Sequence, residues 1–302
     1  MPKFEPTEKI WMNGKLVDWA KAQIHVLSHV VHYGSSVFEG IRCYNTKKGP
    51  AIFRLKEHTQ RLFNSAKIYR MDMPYTEDEI NKAAIETVKA NKMDECYIRP
   101  VVYRGYNHMG VDPTGCPIEV AIAVWEWGQY LPNSTACVSS WARLAPNTMP
   151  AMAKSGAHYM NSQLIKLEAL GHGYGEGIAL DASGHVSEGS GENIFIVRDS
   201  SIITPPYGAS ILPGVTRNTV ITLGQEMGLK IIEQNIPREA LYIAEEVFFT
   251  GTAAEIAPVT HIDKVKIGCG GTGKVTQKLR DRFKRIVLAE EQDKWGWLTF
   301  VK

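Results

Sequence analysis

Hydrophobic and polar positions change period several times along the chain. Segments 57–69 and 77–91 carry apolar residues at three- and four-residue spacing, which predicts two amphipathic helices. Around them the pattern tightens. Segments 36–44, 51–55, 96–104 and 118–127 are rich in β-branched and aromatic residues and are predicted as strands. Segment 128–134, Gly-Gln-Tyr-Leu-Pro-Asn-Ser, is turn-rich and reads as a linker. Beyond it come a strand at 136–141, a helix at 160–170, and short strands at 177–181, 193–197 and 201–204. A helix from about Pro213 to Met227, a strand at 246–250 and a last helix at 275–289 complete the pattern. Short strands outnumber helices and do not alternate regularly with them. The expectation is therefore an α+β fold rather than a doubly wound sheet.

Composition narrows the function classes. With 302 residues, 44% hydrophobic and 9% aromatic, the chain has enough apolar material for about two ordered domains. Its 34 basic and 32 acidic residues leave a net charge of +2, with no long single-sign run. Neither nucleic acid nor an anionic membrane is an expected partner. No apolar run approaches the roughly 20 residues of a membrane span. The opening Met1-Pro2-Lys3-Phe4-Glu5 lacks the apolar centre of a signal peptide. Five scattered cysteines without a Cys-x-x-Cys pair suit a reduced, cytoplasmic protein.

Several motifs carry candidate chemistry. Gly214-Val215-Thr216, after Pro213, offers backbone N–H groups at a helix start, an arrangement that binds phosphate and equally an ordinary helix start. Thr250-Gly251-Thr252-Ala253-Ala254-Glu255 ends a strand in a small, hydroxyl-bearing turn. Gly268-Cys269-Gly270-Gly271-Thr272-Gly273-Lys274 nearly spells a phosphate-binding loop, but Val275 replaces the magnesium-binding hydroxyl and too little chain follows. His25, His29 and His32 have helical metal-site spacing, yet the β-branched surroundings read as a strand, with His32 on the opposite face. No metal site is expected. Lys154, among small residues, suits a buried nucleophilic amine, although the physics alone does not separate it from Lys166. Glu188, between glycines, suits a carboxylate paired with a pyridinium nitrogen. Tyr97 and Arg99 share one strand face, where the arginine meets either a ligand carboxylate or an edge ion pair.

Taken in order, the motifs resemble the branched-chain amino-acid aminotransferases, fold-type IV enzymes that use pyridoxal 5'-phosphate (PLP). The resemblance runs nearly end to end. It rests on His32-Tyr33-Gly34-Ser35-Ser36-Val37-Phe38-Glu39-Gly40-Ile41-Arg42, Tyr97-Ile98-Arg99-Pro100, Ser187-Glu188-Gly189-Ser190-Gly191-Glu192-Asn193, Leu212-Pro213-Gly214-Val215-Thr216-Arg217 and Thr250–Glu255. It implies two domains: a small α/β domain at 1–126 and, after an interdomain loop at 127–136, a large PLP-binding domain at 137–302 built on a pseudo-barrel of short strands. It implies Lys154 as Schiff-base lysine and proton carrier, Glu188 at the pyridine nitrogen and Tyr159 at O3′. Arg61, Val215, Thr216 and Thr252 are implied at the phosphate. The amides of Thr252 and Ala253, with Tyr97, are implied at the substrate α-carboxylate, and Arg99 at the side-chain carboxylate of glutamate or 2-oxoglutarate. Phe38, Gly40, Trp127 and Tyr130 match the aliphatic pocket, while Tyr33 and Val111 match positions supplied by a neighbouring subunit. The implied assembly is a homodimer with shared active sites, extended to hexamers in many members. The implied reaction moves the amino group of L-leucine, L-isoleucine or L-valine to 2-oxoglutarate. A fold-type IV transaminase acting on D-amino acids or (R)-amines is the alternative.

Overall fold

Strands outnumber helices in the computed structural model, which describes residues 5–128, 131 and 134–302. In chain order the elements are β1 (Lys9–Met12), β2 (Lys15–Asp18), α1 (His29–Tyr33), β3 (Ser36–Phe38), β4 (Ile41–Thr46), β5 (Gly49–Phe53), α2 (Leu55–Ile68), α3 (Glu77–Ala90), β6 (Cys96–Arg104) and β7 (Ile118–Trp125). They continue as β8 (Ser134–Val138), α4 (Tyr159–Gly171), β9 (Glu176–Leu180), β10 (Val186–Gly189), β11 (Asn193–Arg198), β12 (Ser201–Thr204), α5 (Val215–Glu226), β13 (Lys230–Glu233), β14 (Glu246–Gly251), β15 (Glu255–Ile262), β16 (Val265–Lys266), α6 (Lys274–Val287) and β17 (Leu298–Phe300). The described residues form two units. The first runs to Gly128 and also takes in Ala153–Ala157 and Ile286–Lys302; the second holds the rest.

The first unit is an antiparallel sheet in the order β17-β5-β4-β6-β7-β1-β2, with β3 beside β6. Even-numbered residues of its central strands, among them Ile98, Val102, Val120, Ile122 and Val124, pack with Leu55, Leu62 and Ala66 of α2 and Ile80, Ala84 and Val88 of α3. The opposite sheet face carries Tyr97, Arg99 and Trp125, as strand alternation requires. A capping box starts α3: the Thr76 hydroxyl accepts from the Glu79 N–H, while the Glu79 carboxylate accepts from the Thr76 N–H.

The predicted single strand at 36–44 is two. The register stays in phase, from Phe38↔Val101 to Ile41↔Ile98, but the ladder breaks at Glu39–Gly40. Glu39 lies opposite Pro100 and donates its N–H to the Pro100 carbonyl; the proline has no N–H to return.

The second unit is a nine-stranded mixed sheet curled into a half-barrel, in the order β10-β9-β8-β15-β14-β11-β12-β13, with β16 beside β15. Its buried core includes Ile194, Ile196, Val247, Phe249, Val259 and Ile262. The α+β class holds. Three local expectations are corrected. His29–Tyr33 is a helical turn and not part of a strand, and both ring nitrogens of His29 are engaged, by the Ser35 hydroxyl and the Gly110 carbonyl. Pro213 precedes the N-cap Gly214, so α5 begins at Val215. The strand predicted at 136–141 ends at Val138, after which the Ser139 N–H bonds to Ile178.

The glycine-rich run before α6 binds a side chain of the protein itself. The Glu246 carboxylate accepts the N–H groups of Val275 (2.9 Å) and Thr276 (2.7 Å) and the Thr276 hydroxyl. A Cβ on Gly273 would sit 2.0 Å from Glu246 Cδ, so the glycine admits the carboxylate. The helix start that mimics a phosphate loop is thus already filled by an anion. Glu246→Ala should lower stability by about 1–2 kcal/mol, read from urea unfolding, the range of a lost helix cap.

Candidate active site

In the first unit, chemistry divides across the two faces of residues 38–40. Phe38 and Gly40 point to the face that carries Tyr97 and Arg99, and Glu39 points to α2. The Arg99 guanidinium lies over three rings, at 4.7 Å from the centre of Phe38, 5.3 Å from Tyr97 and 5.5 Å from Trp125. No carboxylate of the described residues pairs with it, and its Nε finds no hydrogen-bond partner among them. Trp127 stacks on Tyr97, with ring centres 4.5 Å apart. Gly40 is required by its neighbour, because a Cβ there would lie 1.8 Å from the Tyr97 hydroxyl. Lys154 Nζ lies 5.0 Å above the Phe38 ring. Its backbone is fixed twice: its N–H donates to Ser65 Oγ (2.9 Å) and its carbonyl accepts the Phe38 N–H (3.0 Å).

On the other face Glu39 is fully buried and multiply hydrogen-bonded. It accepts from Arg61 Nε (2.6 Å), Arg61 Nη2 (2.9 Å), His58 Nδ1 (2.7 Å) and the Gly40 N–H (3.2 Å). Burial drives this carboxyl up, but Arg61 and His58 outweigh it and hold it well below the usual carboxylate range. Burial pushes His58 below its ordinary value, with Glu39 opposing, so the imidazole is neutral at pH 7.

In the second unit Glu188 is buried and accepts from Arg143 Nη2 (2.8 Å), Asn193 Nδ2 (2.9 Å) and the Leu212 N–H (3.1 Å). Arg143 also donates to Asn161 Oδ1 and Ser162 Oγ in the first turn of α4, the helix that Tyr159 opens. Asn193 donates to the Leu212 carbonyl as well (2.9 Å), so one side chain joins Glu188 to the approach of α5. That helix starts at Val215-Thr216 behind Gly214, with no side-chain cap. Asn193 is also the strand partner of Thr250, next to the turn holding Thr252 and Ala253. The Thr250 hydroxyl is buried without a partner, and no described residue accepts the N–H of Thr252 or Ala253. Lys166, the other lysine candidate, is engaged by the Gly175 carbonyl (2.6 Å) and Glu176 (2.7 Å).

These donors fit PLP: unclaimed N–H and hydroxyl groups suit a phosphate, and a rigid carboxylate suits a protonated pyridine nitrogen. Tyr33 and Val111 are exposed, at 42% and 89%. Tyr130 lies outside the described residues. Sequence reasoning passed over Glu39 and His58 as partners of Arg61, Ser65 as partner of Lys154, and Arg143 and Asn193 as partners of Glu188. The three- and four-residue spacing of His58, Arg61 and Ser65 was the available signal for one helix face.

The amino-transferase class IV family profile matches residues 36–262. The chain is 48% identical, over 97% of both lengths, to the branched-chain-amino-acid aminotransferase of Escherichia coli (strain K12). A crystal structure of the Escherichia coli branched-chain amino acid aminotransferase superposes with a TM-score of 0.96, at 48% identity, covering 98% of this chain and 100% of that one. The branched-chain amino acid aminotransferase from Thermobaculum terrenum, in its PLP-form (holo-form), gives a TM-score of 0.93, at 34% identity, over 99% of each chain. These names favour the branched-chain reading over the D-amino-acid or amine one.

Beside Glu188, Glu192 is 5% exposed. Burial and then Glu176 push its carboxyl well above the usual 4.5. A value raised by folding contributes stability that is complete below the unfolded value and is lost as pH rises towards the folded one. The urea midpoint of the parent should fall as pH rises above about 4.5, and Glu192→Gln, neutral throughout, should flatten that fall. Parallel slopes for the two proteins would count against a raised Glu192 carboxyl.

Proposed function

We propose, for an enzyme that belongs to the class IV aminotransferase family and within it to the branched-chain-amino-acid aminotransferases, that it moves the amino group of L-leucine, L-isoleucine or L-valine to 2-oxoglutarate. The products are the branched 2-oxo acids and L-glutamate. The observation that carries this reading is Arg99, a cation enclosed by Phe38, Tyr97 and Trp125 with no carboxylate partner among the described residues. The aromatic walls suit an aliphatic side chain, and the guanidinium suits the distal carboxylate of glutamate or 2-oxoglutarate.

PLP, when bound, supplies the electron sink that stabilises negative charge at the substrate Cα. Arg61, Val215, Thr216 and Thr252 hold its phosphate in this reading. Glu188, kept rigid by Arg143 and Asn193, keeps a proton on the ring nitrogen. Tyr159 donates to O3′, and Tyr97 with the amides of Thr252 and Ala253 orients the substrate α-carboxylate. Phe38, Gly40, Trp127 and Tyr130 shape the side-chain pocket. Lys154 anchors the cofactor and carries the proton between the substrate Cα and C4′ as general base and acid. Its backbone bonds to Ser65 and Phe38 limit where the amine reaches.

The partner in this reading is a second copy of the chain, with hexamers as a further level of assembly. Exposed Ile24, Val26, Val31, Tyr33, Met109 and Val111 support it, because isolated surfaces seldom leave so many large apolar groups in water. His29 ties the two segments by donating from Nε2 to the Gly110 carbonyl (2.9 Å). Among the described residues no helix is long and apolar enough to cross a membrane. The five cysteines are free thiols, which supports a reducing, cytoplasmic compartment.

The test separates the two half-reactions by their own kcat/KM values. Arg99→Ala should reduce kcat/KM for 2-oxoglutarate by roughly 10- to 100-fold, the value of a charge-assisted contact, and for L-leucine by much less. An equal loss for both substrates would remove Arg99 from the carboxylate role.

A further inference from the structure

We propose that Glu39 is the positioning residue for the phosphate-binding arginine: its carboxylate grips Arg61 through two parallel hydrogen bonds, while His58 and the Gly40 N–H lock the carboxylate itself. This rests on the reading of Arg61 as a phosphate ligand. Nothing in the family comparison or in the residue pattern of the signature segment assigns a role to Glu39.

The geometry is that of a built holder. Glu39 is 0% exposed and its carboxylate accepts four hydrogen bonds, one at Oε1 from Arg61 Nε and three at Oε2 from Arg61 Nη2, His58 Nδ1 and the Gly40 N–H. Two of those donors are Nε and Nη2 of one guanidinium, which fixes the plane of Arg61 as well as its distance. The break in the sheet opposite Pro100 frees Glu39 and Gly40 from the ladder, and the alternation at 38–40 sends the carboxylate to α2. On α2, His58, Arg61 and Ser65 follow at three and four residues, one face of the helix. Ser65 holds the Lys154 N–H (2.9 Å). One helix face therefore holds both the arginine and the backbone of the lysine, setting the phosphate ligand and the amine in a common frame.

Two effects oppose each other. Glu39 cancels the charge of Arg61, and its loss would strengthen attraction for any anion. It also removes the freedom of a long side chain before ligand arrives, and this preorganisation is what binding otherwise has to supply. A planar fork held at two nitrogens is useful for orientation and poor as a bare charge, so orientation is the larger effect here.

The experiment titrates the full chain, stripped of cofactor, with PLP and separately with pyridoxal, which lacks the phosphate, by calorimetry. The readout is the ratio of the two affinities. Arg61→Ala should collapse the preference for PLP; if it does not, the phosphate role of Arg61 fails and the proposal falls with it. Glu39→Gln should weaken PLP by about tenfold or more and leave pyridoxal within about threefold. Equal weakening of both ligands would make Glu39 merely structural. Unchanged or tighter PLP binding would show that charge, not orientation, matters, and either result overturns the proposal. Should Glu39→Gln fail to fold, Arg61→Lys serves: it keeps the charge and loses the fork, so the preference should fall about tenfold, and its retention would overturn the proposal.

Discussion

A carboxylate taken out of water has to be met by donors or is pushed towards its neutral form, and three of the four buried glutamates among the described residues show both outcomes. Glu39 is met by Arg61, His58 and the Gly40 N–H. Glu188 is met by Arg143, Asn193 and the Leu212 N–H. Glu192 sits near Glu188 and Glu176, and burial pushes its carboxyl well above the usual value. Each arrangement pins the chain segments that carry it. Removing one partner from such a set leaves a buried charge unmatched, which typically costs about 3–5 kcal/mol. The rigidity that a polar cofactor requires is thus built from interactions that are themselves intolerant of change.

Each unit applies this constraint to a different part of the chemistry. In the first unit, one β-strand alternation separates an aromatic face around Arg99 from a helix face around Glu39, with the Lys154 segment fixed beside both through Phe38 and Ser65. In the second, Asn193 links Glu188, the approach to α5 and the strand that ends at Thr250. The N–H groups of Thr252 and Ala253 have no acceptor among the described residues, whereas the start of α6, with similar glycine-rich chemistry, is closed by Glu246. The start of α6 is closed by one carboxylate, 29 residues away along the chain from Val275.

That separation explains what could be read from sequence. The α+β class, the two long helices α2 and α3 and strands β6 and β7 were legible because their periods are strong and local. The family was legible from ordered short motifs. The split of segment 36–44 was not, because it depends on Pro100 lying opposite Glu39 across the sheet. Nor was the helical turn at His29–Tyr33, where tertiary bonds of His29 override the β preference of Val30 and Val31. Lys154 could not be separated from Lys166 on local grounds. Lys166 bonds Glu176 and the Gly175 carbonyl inside the second unit. Arg143 was invisible for the same reason: it lies 45 residues from Glu188, and only the fold brings them to 2.8 Å.

The central claim is that Lys154 is the amine that anchors PLP. The most direct measurement is borohydride reduction of the PLP-loaded protein, followed by peptide mass spectrometry. The account predicts a phosphopyridoxyl group on Lys154. Its stoichiometric appearance on Lys166 or any other lysine, with Lys154 unmodified, would contradict it.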